Sequence, residues 1–298
     1  MSSTDLARRF YADLVTAKGG VRDKALKAAF AGVQRERFVG PGPWRIFTAA
    51  GYIDTPSDDP AFLYQDVVVG LAAERLINNG EPSLHARCLG ALAPRAGEHV
   101  LHVGAGTGYY SAVLAELVGE AGRVEAYEIE PDIAARAAAN LSDRPNVQVH
   151  GRSGADGPLP GCDGVYVNAG ATAPPAVWLD ALNDGGRLLF PLTPDEGPGG
   201  MLLVRREGAR FAARIISWAI PCIGARDAAQ SQRLAQAFQR RDIGQVKSLR
   251  RDGAPDASCW VEGEGWWLST EAGERDARLL DCAEPRPCCI VGAVMIVE

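Results

Sequence analysis

The sequence has few histidines, no Cys-x-x-Cys motif and no long apolar run. Its 298 residues include 4 histidines and 7 cysteines, none of which form a Cys-x-x-Cys pair. Cysteine and histidine metal sites need close pairs of ligands, so we expect no metal and expect reduced, partly buried thiols, including the C-terminal cluster of Cys282, Cys288 and Cys289. No apolar run approaches the roughly 20 residues that span a bilayer, so we expect no membrane segment.

An excess of positive charge is also absent. The formal net charge is −6, which argues against a general affinity for nucleic acid or for anionic membranes. The pair Arg8-Arg9 is not followed by an export-type apolar stretch, because Asp13 and Lys18 interrupt it. We therefore expect a cytoplasmic protein, and the sequence leaves its oligomeric state open.

The order of apolar segments predicts an α/β fold. Short strand-like segments alternate with helical ones between residues 96 and 224, which is typical of a doubly wound parallel sheet. Residues 201–205 and 211–220 then predict an antiparallel hairpin. We divide the chain into an N-terminal helical cap with an acceptor-side loop (1–95), an α/β core (96–224) and a C-terminal extension of unknown role (225–298), in which 260–268 and 290–297 have strand-like patterns.

The strongest motif is a glycine-rich turn between a strand and a helix. Residues 100–103 form a short apolar strand pattern, Gly104, Gly106 and Gly108 follow, and a helical pattern begins at Tyr109. Glycines allow a tight turn and a close approach of the backbone to a ligand. Glu128 lies about 20 residues further on, where an acid accepts hydrogen bonds from ribose hydroxyls, with Glu130 as the nearby alternative.

The glycine spacing favours a methyl donor over a dinucleotide. A dinucleotide fingerprint places its third glycine three residues after the second, and that position is Tyr109 here. S-adenosylmethionine has no phosphate and does not need amides arranged for a pyrophosphate. We therefore predict a Rossmann-like class I S-adenosylmethionine-dependent methyltransferase fold, with S-adenosylhomocysteine as the product.

Several further segments resemble those of the protein-L-isoaspartate O-methyltransferases. The resemblance covers about residues 5–224, and its segments keep the family's order and spacing. Beside the glycine turn, they are 33–39 (VQRERFV), 64–66 (YQD), 81–86 (EPSLHA), 167–171 (VNAGA) and 185–191 (GGRLLFP).

The resemblance implies an enzyme that methylates a carboxylate oxygen of a peptide or protein. The residues that it assigns to the methyl donor are His102, Val103, Gly104, Ala105, Gly106, Gly108, Tyr109, Glu128, Ile129, Arg152, Ser153 and Asn168. The chain departs from the family in three places: Asn78-Asn79-Gly80 replaces Thr-Ile-Ser, His102 replaces an acid, and Gly151-Arg152-Ser153 replaces Gly-Asp-Gly.

The acceptor side is predicted at the loop of residues 78–82, which precedes a predicted helix running to about Leu92, and at the end of a core strand. The candidate catalytic residues are Asn78, Asn79, Ser83, His85 and Asn168. Four of them also have a plain structural reading: Asn78 and Asn79 suit a turn, Ser83 suits a helix N-cap, and His85 suits packing inside the helix. A carboxylate is already an anion at pH 7, so no general base is required.

Two alternatives remain open at this point. One is a natural-product or small-molecule methyltransferase on the same fold, and the other is a non-catalytic relative that binds S-adenosylmethionine. The sequence alone identifies neither the acceptor nor whether isoaspartate is accepted.

Overall fold

The computed structural model describes residues 2–219, 224–251 and 253–273, which belong to two compact α/β units. Unit 1 contains the described residues up to Gly97 together with Ala105–Arg152. Unit 2 contains Glu98–Gly104 and the described residues from Ser153 onward. The division of the chain at residues 95 and 224 remains a prediction.

The N-terminal part of unit 1 is helical, as its apolar spacing predicts. The helices are α1 (Ser3–Gly19), α2 (Lys24–Gly32) and the short α3 (Glu36–Val39). Gly20 ends α1 in the left-handed conformation, with φ of 72°. The Asp23 side chain caps α2 by accepting from backbone N–H groups of its first turn.

Two hairpins follow in unit 1. Strand β1 (Arg45–Thr48) pairs antiparallel with β2 (Gly51–Asp54), and β3 (Gly70–Ala72) pairs antiparallel with β4 (Ile77–Asn78). The pattern of residues 44–63 suggests irregular chain, which is wrong for the first hairpin. Its two central turn residues are Ala49 and Ala50, without the usual Asn-Gly or Asp-Gly pair; the Thr48 hydroxyl closes the turn, and Gly51 follows with φ of 102°.

Helix α4 (Pro82–Leu92) begins before the residue expected to cap it. Glu81 is the N-cap and Pro82 takes the first helical position, where its fixed φ suits the helix and its missing N–H is not needed. The expectation that Ser83 caps this helix was therefore wrong. The Ser83 N–H instead donates to the Asp66 carboxylate at 2.8 Å.

The remaining elements of unit 1 follow the predicted alternation. They are α5 (Tyr109–Val118), β6 (Arg123–Tyr127), α6 (Pro131–Asn140) and β7 (Val147–His150). Strands β6 and β7 pair in parallel.

Unit 2 is built on a mixed sheet. Strands β5 (His99–Val103), β8 (Cys162–Val167) and β10 (Leu182–Leu192) pair in parallel, and helix α7 (Ala176–Ala181) precedes β10. The predicted antiparallel hairpin then extends the sheet through β11 (Gly199–Glu207) and β12 (Arg210–Ala219). The short strands β9 (Gly170–Ala171) and β13 (Gly224–Ala225) pair with each other in parallel.

The C-terminal extension continues this sheet. After helix α8 (Ala228–Gln239), strand β14 (Ser248–Arg250) pairs with β12, and the hairpin of β15 (Cys259–Gly263) and β16 (Trp266–Ser269) pairs with β14. The strand pattern over residues 260–268 is thus met by two short strands. The strand expected over 290–297 and the cysteine cluster at 282–289 lie outside the described residues.

Neither a membrane span nor a metal cluster is found in the part of the chain that the structure describes. No helix there has the length and apolarity needed to cross a bilayer. In the same ranges, no three or more His, Cys, Asp or Glu side chains come together as a potential metal site.

Candidate functional site

The glycine-rich turn has the backbone that its sequence predicts. Gly104, Gly106 and Gly108 have φ of 72°, 56° and 96°, a region that favours glycine. A Cβ at Gly108 would lie 2.6 Å from Leu141 Cδ1, so packing alone requires a glycine there. Among the residues that the structure describes, a Cβ at Gly106 would meet only Leu71 Cδ1, at 3.4 Å. The backbone at Gly106 is thus the more open part of the turn.

Glu128 lies against this turn in unit 1. Its Oε2 accepts a hydrogen bond from the Gly106 N–H at 2.7 Å, and its Oε1 accepts one from the Glu130 N–H at 3.0 Å. The side chain is only 7% exposed, and burial raises the pKa of the carboxyl, while the N–H groups of Glu130 and Gly106 oppose that rise. The next side chain, Ile129, is 64% exposed. The hydrogen-bonded Glu128 carboxylate is therefore followed by the solvent-exposed apolar side chain of Ile129.

Arg75, which belongs to no sequence motif, connects the second hairpin to the start of helix α6. Arg75 contacts Glu130 at 2.8 Å and Asp132 at 2.6 Å, and Arg136 donates to the Leu71 carbonyl at 3.1 Å. The hairpin of β3 and β4 is thereby held beside Gly106. The two glutamates therefore have different partners: Glu130 forms an ion pair with Arg75, whereas Glu128 accepts hydrogen bonds from backbone N–H groups.

The two asparagines of the acceptor loop form hydrogen bonds with nearby backbone N–H groups. Asn78 Oδ1 accepts from the Gly80 N–H at 2.9 Å, and Asn79 Oδ1 accepts from the Val69 N–H at 2.8 Å. The Asn79 Nδ2 group is buried without a hydrogen-bond partner among the described residues. Both asparagines therefore build the turn, and Asn79 retains an unused donor.

Ser83 belongs to a polar cluster at the start of α4. Its hydroxyl donates to Glu81 Oε1 at 3.1 Å, and its N–H donates to Asp66, which also pairs with Lys18. Burial raises the pKa of Glu81, and the negative charge of Asp66 adds to this rise. Asp66 comes from the YQD segment and Glu81 begins the EPSLHA segment, but neither was among the candidate catalytic residues.

His85 lies two residues further along α4 and is buried. Its ring stacks on Tyr110 with ring centres 3.7 Å apart and an interplanar angle of 13°. A Cβ at Gly80 would lie 2.2 Å from His85 Nε2, so the loop passes directly over the imidazole. Gly80 is thus required at the position where the related family carries serine.

Two residues of unit 1 that were predicted to contact the methyl donor, Tyr109 and Arg152, have side chains that contact other parts of the protein. The Tyr109 side chain packs among the N-terminal helices, with its hydroxyl 3.3 Å from that of Tyr11 and its ring against Phe38. The Arg152 guanidinium lies over the Tyr127 ring, 4.8 Å from its centre. At the start of the second stretch of unit 2, Ser153 Oγ accepts from the Ala155 N–H at 3.1 Å.

Unit 2 brings together the ends of β5 and β8. The Asn168 N–H donates to the Val103 carbonyl at 2.8 Å, and Asn168 Nδ2 lies 2.8 Å from His102 Nε2. A Cβ at Gly104 would lie 3.2 Å from the Ala169 nitrogen, so the first glycine of the turn packs against the residue after Asn168.

The predicted residues therefore form two sets. In unit 1, the turn residues Ala105, Gly106 and Gly108 lie beside Glu128, and Ala105 N–H donates to the Tyr127 carbonyl at 3.0 Å. In unit 2, the set consists of His102, Val103, Gly104 and Asn168. Their roles toward a ligand remain predictions.

Comparison with known proteins identifies the family. The profile described as protein-L-isoaspartate(D-aspartate) O-methyltransferase matches residues 12–216. Protein-L-isoaspartate O-methyltransferase 2 of Anaeromyxobacter sp. (strain Fw109-5) is 34% identical over 214 residues, covering 70% of this chain and 79% of its own length. The protein-L-isoaspartate O-methyltransferase of Methylorubrum populi is 32% identical over 212 residues, with 71% and 91% covered.

Solved structures agree on the fold. A protein-L-isoaspartate O-methyltransferase matches with a TM-score of 0.59 and 23% identity, covering 78% of this chain and 69% of its own. A Plasmodium falciparum structure described as a putative member in complex with S-adenosyl-L-homocysteine matches with a TM-score of 0.58 and 16% identity, covering 74% and 98%. The Rossmann-like class I fold expected from the sequence is thus confirmed. The chain belongs to the protein-L-isoaspartate O-methyltransferase family and is an S-adenosylmethionine-dependent O-methyltransferase.

Proposed function

We propose that the chain methylates the carboxylate of an isoaspartyl residue in a peptide or protein, with the methyl donor bound at the glycine turn of unit 1. The observation that carries the donor site is the Glu128 carboxylate, fixed by the Gly106 and Glu130 N–H groups. A carboxylate oxygen has room for further hydrogen bonds beyond the one that each already accepts, so ribose hydroxyls can bind there. Family membership supports this acceptor over a small molecule.

The residues of the turn fit the donor by size and by polarity. Of the described residues, only Leu71 lies near the open side of Gly106, so the turn leaves room for the backbone to approach a ligand closely. The exposed Ile129 side chain offers an apolar surface on which an adenine ring can pack. We assign Glu128 to the ribose and Ile129 to the base.

The chemistry needs alignment and no proton transfer. S-adenosylmethionine supplies an electrophilic methyl group, and attack by a carboxylate oxygen forms the O–CH₃ bond while the electron pair of the broken S–CH₃ bond stays on sulfur. Orientation of the reacting groups supplies on the order of 7–11 kcal/mol in favourable cases. The protein's task is to hold the carboxylate in line and to exclude water.

We assign the acceptor carboxylate to the loop that precedes α4. The unused Asn79 Nδ2 donor supports this assignment, and Asn78 lies next to it in the same turn. Ser83 and His85 hold the loop in place. The Ser83 hydroxyl donates a hydrogen bond to Glu81, and the His85 ring packs against Gly80 and Tyr110. The role of Gly80 is structural, so the proposal does not require a hydroxyl at this position.

A transfer assay with radiolabelled S-adenosylmethionine tests the proposal. Three peptides of identical composition carry isoaspartate, aspartate or asparagine at one position, and we expect base-labile label only on the isoaspartyl peptide. Label on all carboxylate-bearing peptides would indicate a broader acceptor. No transfer to any peptide, with donor binding intact, would overturn the acceptor assignment.

We also place the protein in the cytoplasm as part of this proposal. Cys88 and Cys259 are free thiols, as is usual in a reducing compartment.

A further inference from the structure

The hairpin of β3 and β4 forms a two-stranded sheet of its own in unit 1. Its strands are joined by two residue pairs with an irregularity between them. At the base of the hairpin, the Val69 N–H donates to Asn79 Oδ1 at 2.8 Å, and the Asn79 N–H donates to the Val69 carbonyl at 3.0 Å. A sheet of two short strands has little stability of its own, so other contacts must hold the far part of the hairpin in place.

Two arginines provide those contacts, both of them with helix α6 or its N-cap. Arg136 of α6 donates to the Leu71 carbonyl at 3.1 Å. From the hairpin, the Arg75 guanidinium donates to both carboxylate oxygens of Asp132, at 2.6 Å and 3.0 Å, and to Glu130 Oε2 at 2.8 Å. The hydrogen bonds from Arg75 lower the pKa of Asp132, as expected for a carboxylate held by a guanidinium.

The hairpin lies beside the glycine turn. Leu71 Cδ1 would lie 3.4 Å from a Cβ at Gly106, and the Gly106 N–H donates to the Glu128 carboxylate at 2.7 Å. Leu71 and Glu128 therefore border the same glycine. A ligand that reaches Glu128 at this turn must pass beside the hairpin.

The contacts of Arg75 also reach the residue that supports Glu128. The Glu130 side chain pairs with Arg75, and the Glu130 N–H donates to Glu128 Oε1 at 3.0 Å. One residue thus connects the ion pair of the hairpin to the carboxylate that we assign to the ribose.

The closed position of the hairpin is held by contacts that break easily. The side chains of Arg75, Glu130 and Asp132 are 38%, 41% and 59% exposed, and ion pairs at such sites contribute little and are screened by salt. The neighbouring Leu76 has φ of 58°, a left-handed conformation that is costly for leucine. Weak ion pairs and a strained turn together favour frequent opening.

We propose that the hairpin of β3 and β4 is a lid on the donor site and that Arg75 is its latch, which pairs with Glu130 and Asp132 when the lid is closed. This inference rests on the proposed function, because it takes the glycine turn as the donor site. The latch is made by protein groups alone, so it restrains the empty and the filled site alike. It therefore slows both entry and exit of the donor and changes Kd little. Arg75 is a positioning residue that does not touch the reacting atoms.

A double-mutant cycle in the full chain tests the latch. Stopped-flow fluorescence with S-adenosylhomocysteine, which lacks the sulfonium charge, gives kon and koff for Arg75→Gln, Asp132→Asn and the double variant. We expect Arg75→Gln to raise both rate constants about fivefold, the factor for one well-formed exposed ion pair, and to leave Kd within about twofold. Asp132→Asn should raise them by part of that factor, and the double variant should exchange no faster than Arg75→Gln alone.

Ionic strength separates a charged latch from a packing role. Exchange in the unmutated chain should become faster between about 0.05 and 0.5 M NaCl because salt screens exposed ion pairs, whereas Arg75→Gln should exchange equally fast at both. Arg45→Gln is the matched control. Arg45 pairs with Asp54 at 3.7 Å at an exposed site of the first hairpin, and its replacement should leave kon and koff unchanged.

The outcomes separate the latch from the donor site. A rise in koff alone, with weaker Kd, would show that Arg75 supports the bound donor and would overturn the latch. Rates that do not respond to Arg75→Gln, or increases that multiply in the double variant, would overturn it as well. Failure of the unmutated chain to bind S-adenosylhomocysteine would instead overturn the donor site itself.

Discussion

Substitution of Glu128 gives the sharpest test of the donor site. The side chain has two functions in the structure. Its negative charge faces the turn, and its oxygens accept hydrogen bonds from the backbone N–H groups of Gly106 at 2.7 Å and Glu130 at 3.0 Å. Glu128→Gln removes the charge but keeps one acceptor oxygen, whereas Glu128→Ala removes both. The two variants therefore separate charge from support of the turn.

The expected magnitudes follow from the hydrogen bonds that are lost. A hydrogen bond to a charged group contributes about 1.5–3 kcal/mol, so losing one weakens binding roughly 10- to 150-fold. We expect Glu128→Gln to weaken S-adenosylmethionine about tenfold. Glu128→Ala should weaken it about 100-fold, because the Gly106 N–H also loses its acceptor.

Glu130→Gln is the matched control, since it changes the neighbouring glutamate of the same loop. Glu130 pairs with Arg75 at a partly exposed site, where ion pairs contribute little, and we expect less than about a threefold change in Kd. Isothermal titration calorimetry measures all three variants. Unchanged affinity in Glu128→Ala, or an equal loss in Glu130→Gln, would refute the assignment of Glu128 to the ribose.

Acidification provides a second readout on the same residue. Burial raises the pKa of Glu128, so protonation removes its charge at a higher pH than for an exposed glutamate. The affinity for S-adenosylmethionine should therefore fall as the pH drops toward that raised value. The Glu128→Gln variant should lack this component.

Three further predictions concern stability. Gly108→Ala should lower the free energy of unfolding by about 1–3 kcal/mol in urea titrations because its Cβ meets Leu141, whereas Gly106→Ala should affect donor binding more than stability. Arg35 is fully buried and donates to three backbone carbonyls, so Arg35→Ala should cost about 3 kcal/mol or more in the same assay, and a loss below about 1 kcal/mol would contradict this account. The lowered pKa of His102 means that the unfolded chain binds the proton first, so stability should fall as the pH drops from about 6.5 toward 3, by up to about 1.4 kcal/mol per pH unit. Replacing His102 with glutamine should flatten that slope, and identical pH profiles would show that the histidine is not buried in its neutral form.

Local features of the site were predictable because they depend on residues close together in the chain. The three glycines mark positive φ angles, and the acid about 20 residues later falls at the end of the next strand of the α/β pattern. The hairpin of β11 and β12 was predictable for the same reason, since both strands and their turn are contiguous.

Some local expectations failed where a neighbour overrode the pattern. Ser83 has the residue type of an N-cap, but Pro82 already occupies the first helical position and shifts the cap to Glu81. The turn of the first hairpin has alanines at both central positions, Ala49 and Ala50, and is closed by the Thr48 hydroxyl, with Gly51 following at positive φ.

The sequence by itself determined the α/β class, the glycine turn and the acid beside it, because short-range backbone preferences and apolar periodicity specify them. Tertiary structure alone decided that Arg75 holds the second hairpin, that Arg35 supports the segment leading to Asp66, and that His102 meets Asn168. These partners are separated by about 30 to 66 residues, and no spacing rule relates them. They meet because burying the apolar faces of helices and strands fixes which chain segments become neighbours, and the polar side chains at those junctions then pair with whatever lies opposite.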